Sequence, residues 1–116
     1  MGILSEHFNR EEFSCKCKCG FNDISDELIQ VLEDVREHFD SPVIINSGCR
    51  CEKHNLSIGG TTKSKHLEGI AADIVVKDVL AEIVQEYLRA TYPDKYGIGS
   101  YQDFSHCDIR RTKARW

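Results

Sequence analysis

Residues 70 to 76, Ile-Ala-Ala-Asp-Ile-Val-Val, set one carboxylate inside an otherwise unbroken apolar run. A short, β-branched run of this kind reads as a central strand. Carboxylates are rarely buried without compensation, because an unpaired charge loses its hydration and gains nothing in return. Whatever this chain folds into must therefore bring a compensating group to Asp73. That requirement constrains the fold more than any other feature.

The flanking segments supply the remaining elements. Ile24, Leu28, Val31, Leu32, Val35 and Phe39 recur at three- and four-residue spacing. They predict an amphipathic helix over residues 24 to 39, N-capped by Asp23 or Ser25 and stopped by Pro42. Val43, Ile44 and Ile45 read as a short buried strand. Residues 46 to 65, with Gly48, Gly59, Gly60 and several Ser and Thr, show no apolar period and read as a long functional loop. Val79, Leu80, Ile83, Val84, Tyr87 and Leu88 mark a second amphipathic helix ending before Pro93. Residues 96 to 101 and 105 to 110 read as two strands joined by the polar turn Gln102-Asp103. This order predicts a small α+β fold with a mainly antiparallel sheet and two principal helices packed on it. With 116 residues and neither repeat nor linker, a single domain spanning 1–116 is expected.

Charge and hydropathy narrow the partners. A net charge of −4 offers no basic excess to neutralise phosphates, so nucleic acid is not expected as a partner. Arg110, Arg111, Lys113 and Arg115 form a basic run near the C-terminus, read as a solvated tail. No apolar stretch approaches membrane-spanning length. The opening Met-Gly-Ile-Leu-Ser-Glu-His-Phe shows neither a secretory signal nor, with Glu6, an acylation pattern. The expectation is a monomeric protein that is cytoplasmic as made.

Six cysteines are many for such a chain, falling as Cys15, Cys17, Cys19, then Cys49, Cys51, then Cys107. The first two groups suit either disulfides or a structural metal site, with His54 close behind Cys51 as a further ligand type. Cys107 reads as a buried apolar thiol. No CxxC pair is present, which disfavours a thiol redox enzyme.

The chemistry that answers Asp73 is offered by histidine. His66 lies just upstream, where Gly69 permits a tight return into the strand. His106 lies in the last strand, sharing a face with Asp108 while Cys107 points the other way. Pairing of these strands would bring Asp73 and His106 together. Two imidazoles and a carboxylate can hold zinc and leave its fourth position open to water. His7 and His38 read as ordinary surface or hydrogen-bonding groups.

Ser64-x-His66-x-x-Gly69-x-Ala71-x-Asp73 resembles the signature of the zinc D-alanyl-D-alanine carboxypeptidase family. Ser47-Gly48-Cys49-Arg50, His54-Asn55, Gly59-Gly60 and His106-Cys107-Asp108-Ile109-Arg110 follow the same pattern in the same order. That family includes bacterial carboxypeptidases, vancomycin-resistance D,D-dipeptidases and phage endolysins that cut the stem peptide of peptidoglycan. The resemblance implies a hedgehog-like fold with His66, Asp73 and His106 as zinc ligands. It implies that Arg50 stabilises charge on the scissile carbonyl and contacts substrate, a role suited to a guanidinium that does not titrate. It gives Ser64 a part in substrate binding, beside the alternative of hydrogen-bonding the backbone under His66. The position of the general base, three residues before the last ligand, is Asp103. Asp103 can equally be a turn residue, and Asp108 is the second candidate base or a ligand-orienting group.

The expectation is a zinc metallopeptidase acting on peptidoglycan stem peptides, as a D-Ala-D-Ala carboxypeptidase or an endolysin-type endopeptidase. It would be of phage or bacterial origin and reach the cell wall after release. The alternative is a zinc-stabilised binding or structural module of the same fold without peptidase activity. Cys49, where relatives often carry an aromatic residue, and Cys51 suggest that the Cys15–Cys19 segment is pinned against the Arg50 loop.

Overall fold

In chain order the elements of the computed structural model are α1 (Asp26–Phe39), β1 (Val43–Ser47), α2 (Glu52–Ser57), β2 (Ala71–Val76), α3 (Ala81–Thr91), β3 (Gly97–Ser100), β4 (Ser105–Asp108) and β5 (Ala114–Arg115). Among the described residues, single 3-10 turns at Arg10–Phe13 and Lys65–Glu68 complete the set. The structure describes residues 4–116, so the opening Met1-Gly2-Ile3, part of the segment read for export and acylation signals, lies outside the described residues.

The strand that carries Asp73 is central, as its apolar run requires. The five strands are ordered β1-β2-β4-β3-β5, antiparallel except for the parallel β3–β5 pair. Opposite Asp73 stands His106, and opposite Ala72 stands Cys107. A bulge between Ile45 and Ser47 sets Ser47 opposite Asp73 as well. Period-2 alternation then separates two faces. Ala72, Ile74 and Val76 face a core with Leu28, Leu32 and Val35 of α1 and Val84 and Leu88 of α3. The two helices also touch each other, the His38 ring stacking on Tyr87. Asp73, His106 and Asp108 stand on the opposite face, which becomes the site.

Helix α1 starts at Ser25, with Asp26 and Glu27 in its first turn, where carboxylates complement the positive end of the helix dipole. It ends at Asp40 in the left-handed region (φ 48°), two residues before Pro42. Leu28, Val31, Leu32 and Val35 are buried, as the spacing predicts, and Ile29 is buried beside them.

Two expectations need correction. The long loop over 46 to 65 contains α2, whose only buried residue is Asn55. A six-residue helix is too short to display an apolar stripe, so periodicity could not reveal it. The basic segment is not a solvated tail. Ala114 and Trp116 donate backbone N–H groups to Tyr96 and Ile98, adding β5 to the sheet edge. The Arg115 guanidinium donates to the carbonyls of Tyr92 (2.6 Å) and Tyr96 (2.7 Å). Carbonyl oxygens at a helix end and a strand start capture a charge that composition alone assigns to solvent. Among the described residues, no helix is long and apolar enough to cross a membrane.

Candidate metal centre

Each of the three candidate ligands His66, Asp73 and His106 is held by local chemistry. His66 sits in the 3-10 turn whose first orphan donor is met by Ser64, its Oγ accepting from the His66 N–H at 3.2 Å. The turn closes at Gly69, with φ of 70°. A Cβ there would also stand 2.2 Å from the Asp23 carbonyl oxygen, so only glycine lets the chain pass into β2. His66 Nδ1 lies 2.6 Å from the Gly48 carbonyl oxygen. A carbonyl only accepts, so Nδ1 carries the proton and Nε2 turns its lone pair towards Asp73, 3.3 Å from Oδ1.

His106 repeats the logic with its nitrogens exchanged. Nε2 donates to Asp108 Oδ2 at 2.8 Å, and Nδ1 faces Asp73 Oδ1 at 2.9 Å. Asp108 is wholly buried and takes two further bonds from the Arg110 guanidinium, at 2.8 and 2.7 Å. Burial raises its pKa, yet the bonds from His106 and Arg110 prevail and hold the carboxyl well below the usual carboxylate range. Its place behind the ligand is that of a carboxylate that orients a metal-binding imidazole.

Two imidazole lone pairs and one carboxylate oxygen thus converge, the donor atoms all within 4.8 Å of one another. His66, Asp73 and His106 are 2%, 8% and 7% exposed, so water does little to screen them. Burial alone would raise the Asp73 pKa. A proton or cation shared with the His106 and His66 nitrogens outweighs it and keeps the group ionised far below its ordinary range. For His106, burial disfavours the cation, but Asp108 and Asp73 prevail and raise its pKa. The pocket therefore demands a cation, either a proton or a metal ion. Two imidazole nitrogens and a carboxylate oxygen are donors of the kind zinc takes, so the residues fit that ion.

Arg50 flanks this set. Its guanidinium donates to Ser47 Oγ (3.1 Å), Asn55 Oδ1 (3.2 Å) and Asp73 Oδ2 (3.3 Å). Asn55 is buried and in turn donates to the Thr61 carbonyl at 2.7 Å. Gly60 packs so closely here that a Cβ would stand 2.1 Å from Asn55 Oδ1. Ligands, Arg50 and Ser64 open into one cavity of about 490 Å³ whose wall includes Lys63, Lys65, Arg110, Tyr101 and Trp116.

Tyr101 and Trp116 were not singled out from sequence as site residues. The Trp116 indole N–H donates to Tyr101 Oη at 2.9 Å, and its ring lies 5.0 Å from His106. Only the pairing of β5 with β3, invisible in composition, brings it there. Asp103 is exposed in the β3–β4 turn and is not among the residues lining this cavity. It borders a separate cavity of about 200 Å³ beside Val76 and Val84.

The cysteines divide differently from the sequence grouping. Cys15, Cys17, Cys19 and Cys51 bring their sulfurs together, while Cys49 and Cys107 are buried elsewhere. Burial pushes the Cys49 thiol up to about 11 and that of Cys107 up to about 12. His54 does not join the cluster through its ring; its backbone N–H donates to Cys51 Sγ. His7 pairs with Glu33 at 2.6 Å, and neither His7 nor His38 approaches the centre.

No curated protein matches the chain significantly. The family model described as Peptidase M15, by contrast, matches residues 6–108 and so spans His66, Asp73, His106 and Arg50. With that match added to the buried His-Asp-His set, the chain belongs to the peptidase M15 family, the zinc D-alanyl-D-alanine carboxypeptidase-like metallopeptidases.

Proposed function

We propose that this protein is a zinc metallopeptidase that hydrolyses peptide bonds in the stem peptides of peptidoglycan. The observation that carries the proposal is the convergence of three lone pairs at the floor of a cavity whose wall carries Arg50, Lys63, Lys65 and Arg110. Stem peptides carry free carboxylates, and a cationic wall attracts and orients them.

His66, Asp73 and His106 would hold the ion, which when bound supplies the Lewis acidity that activates water at neutral pH. Arg50, fixed at all three guanidinium nitrogens, directs positive charge at the position where an oxyanion develops on the scissile carbonyl. Ser64 positions His66 and stands in the cavity wall, where it can meet substrate. Asp103 is proposed to accept the proton from the attacking water and return it to the leaving amine. Two facts support it over Asp108. Both oxygens of Asp108 are spent on His106 and Arg110, whereas Asp103 is exposed in the turn that follows Tyr101 of the cavity wall.

Digestion of purified peptidoglycan, with the released ends identified by mass, tests the activity. New peptide ends are expected without chelator and none with it. An absence of new ends in both samples overturns the proposal.

One observation favours the second reading, a zinc-stabilised binding module: Asp103 does not line the cavity. Asp103→Asn separates the two. The enzyme loses about 10²–10⁴-fold in turnover while its zinc content stays constant. A binding module shows no turnover to lose and binds stem peptide equally well with either residue.

A further inference from the structure

We infer that Cys15, Cys17, Cys19 and Cys51 form a second, structural metal site, a tetrathiolate that holds one zinc ion. The inference is independent of the His66–Asp73–His106 centre and of any catalytic role.

Four sulfurs, three from one short loop and one from the far side of the sequence, lie within 4.8 Å of one another. Cys17 Sγ is 3.4 Å from both Cys15 Sγ and Cys51 Sγ. Around a tetrahedral zinc with Zn–S bonds of about 2.3 Å, neighbouring sulfurs stand roughly 3.8 Å apart. The two 3.4 Å spacings lie a few tenths of an ångström below that value, and the remaining pairs stay within 4.8 Å. Disulfides join sulfurs at about 2 Å and in pairs, and a pairwise scheme gives no reason for all four to gather at one point.

The surrounding backbone is that of a ligand loop. The Lys18 N–H donates to the Cys15 carbonyl at 3.0 Å and the Cys15 N–H to the Phe21 carbonyl at 2.8 Å, so the loop folds back on itself. Lys18 and Gly20 both adopt positive φ, 65° and 95°, so the chain reverses tightly on either side of Cys19. Backbone N–H groups of Cys51 and His54 point at Cys15 Sγ (3.3 Å) and Cys51 Sγ (3.4 Å). Such bonds stabilise thiolate charge, as outer-shell donors do at metal sites. Cys17 and Cys19 are exposed, which leaves the ion a way in. Binding would deprotonate the four thiols and release their protons to solvent.

The position gives the site a purpose. Cys51 directly follows Arg50, whose N–H donates to the His66 carbonyl, and Gly48 supplies the carbonyl that orients the His66 ring. Phe13 packs under Gly48, where a Cβ would meet its Cα at 2.8 Å, and its carbonyl accepts from the Cys49 N–H. A metal joining Cys15–Cys19 to Cys51 therefore clamps the N-terminal segment beneath the strand end that aims both His66 and Arg50.

Metal analysis and cobalt substitution of the full chain test this. The wild type should carry two zinc equivalents, and its cobalt form an intense sulfur-to-cobalt charge-transfer band. Cys17→Ser combined with Cys19→Ser should lose one equivalent and the band. His66→Ala combined with Asp73→Ala should lose one equivalent and keep the band; a variant that instead kept both equivalents would count against the His-Asp-His centre and leave the thiolate site standing. Should the cysteine variant fail to fold, the wild-type band and its persistence in the His66/Asp73 variant decide the matter. The proposal is overturned if the wild-type cobalt form lacks the band, or if mass mapping finds any two of these four cysteines disulfide-bonded in freshly reduced-and-refolded protein. Iron in place of zinc would keep the ligands and overturn the choice of ion.

Discussion

Asp73 and Asp108 are both buried carboxylates on one sheet face, yet they do different work because of what reaches them. Asp73 receives two imidazole nitrogens on one oxygen and a guanidinium on the other, so it shares in holding a cation. Asp108 takes an N–H from His106 and the fork of Arg110, so it fixes which nitrogen of His106 faces the centre. Replacing Asp108 with Asn should weaken zinc binding by ~10–100-fold, because the ring loses its orienting acceptor. Competitive titration against a metallochromic chelator reads this directly, and an unchanged circular dichroism spectrum keeps misfolding out of the result. An unchanged zinc affinity would remove Asp108 from the orienting role. Arg50→Lys is a second test at this scale. An ammonium cannot reach Ser47, Asn55 and Asp73 together, so turnover should fall by ~10²-fold or more with zinc retained. The gathering of His66, Asp73 and His106 was legible from residue types and spacing, since a carboxylate within an apolar run demands an explanation. The Asp108–Arg110 fork and Trp116 were less so, because side-chain direction and the β3–β5 pairing decide them.

At the scale of elements, strand periodicity and helix spacing predicted what they physically control. β2 and β4 pair with Asp73 opposite His106, and this register sets Ala72, Ile74 and Cys107 against the core that α1 and α3 build. Short elements held by capping and polar contacts escaped that logic, as α2 and β5 both did. Much of the site rests on such elements. The 3-10 turn carrying His66 contributes one buried side chain, so its place depends on backbone geometry at Gly69 more than on burial. Gly69→Ala confronts both the positive φ and the Asp23 carbonyl, and should cost ~2 kcal/mol or more in denaturant unfolding. It should also displace His66 and lower zinc affinity, whereas Gly59→Ala, with φ of 74° but open space around it, should cost only the backbone strain. Equal stability loss in the two variants would show that the contact with Asp23 is unimportant.

At the scale of the whole molecule, the segment before α1 meets the body at Phe13, whose carbonyl accepts from the Cys49 N–H, at the cysteine cluster, and at Glu33. Glu33 is buried on α1 and accepts from the Ser5 hydroxyl, the His7 backbone N–H at 2.8 Å and the His7 ring at 2.6 Å. Burial raises its pKa, but the bonds from Ser5 and His7 outweigh that and lower it. A carboxylate whose folded pKa is depressed stabilises the fold fully above its unfolded pKa of about 4.3, and the contribution disappears as pH falls through the lower folded value. Glu33 should therefore contribute undiminished stability at neutral pH and lose it in the acid limb below about pH 4. Glu33→Gln removes the charge while keeping the shape. The variant should be ~1–3 kcal/mol less stable than wild type at pH 7, and the gap should close as the two acid limbs converge. Denaturant melts across that range measure the difference. A gap that stayed constant down to strong acid would mean that Glu33 acts through packing alone.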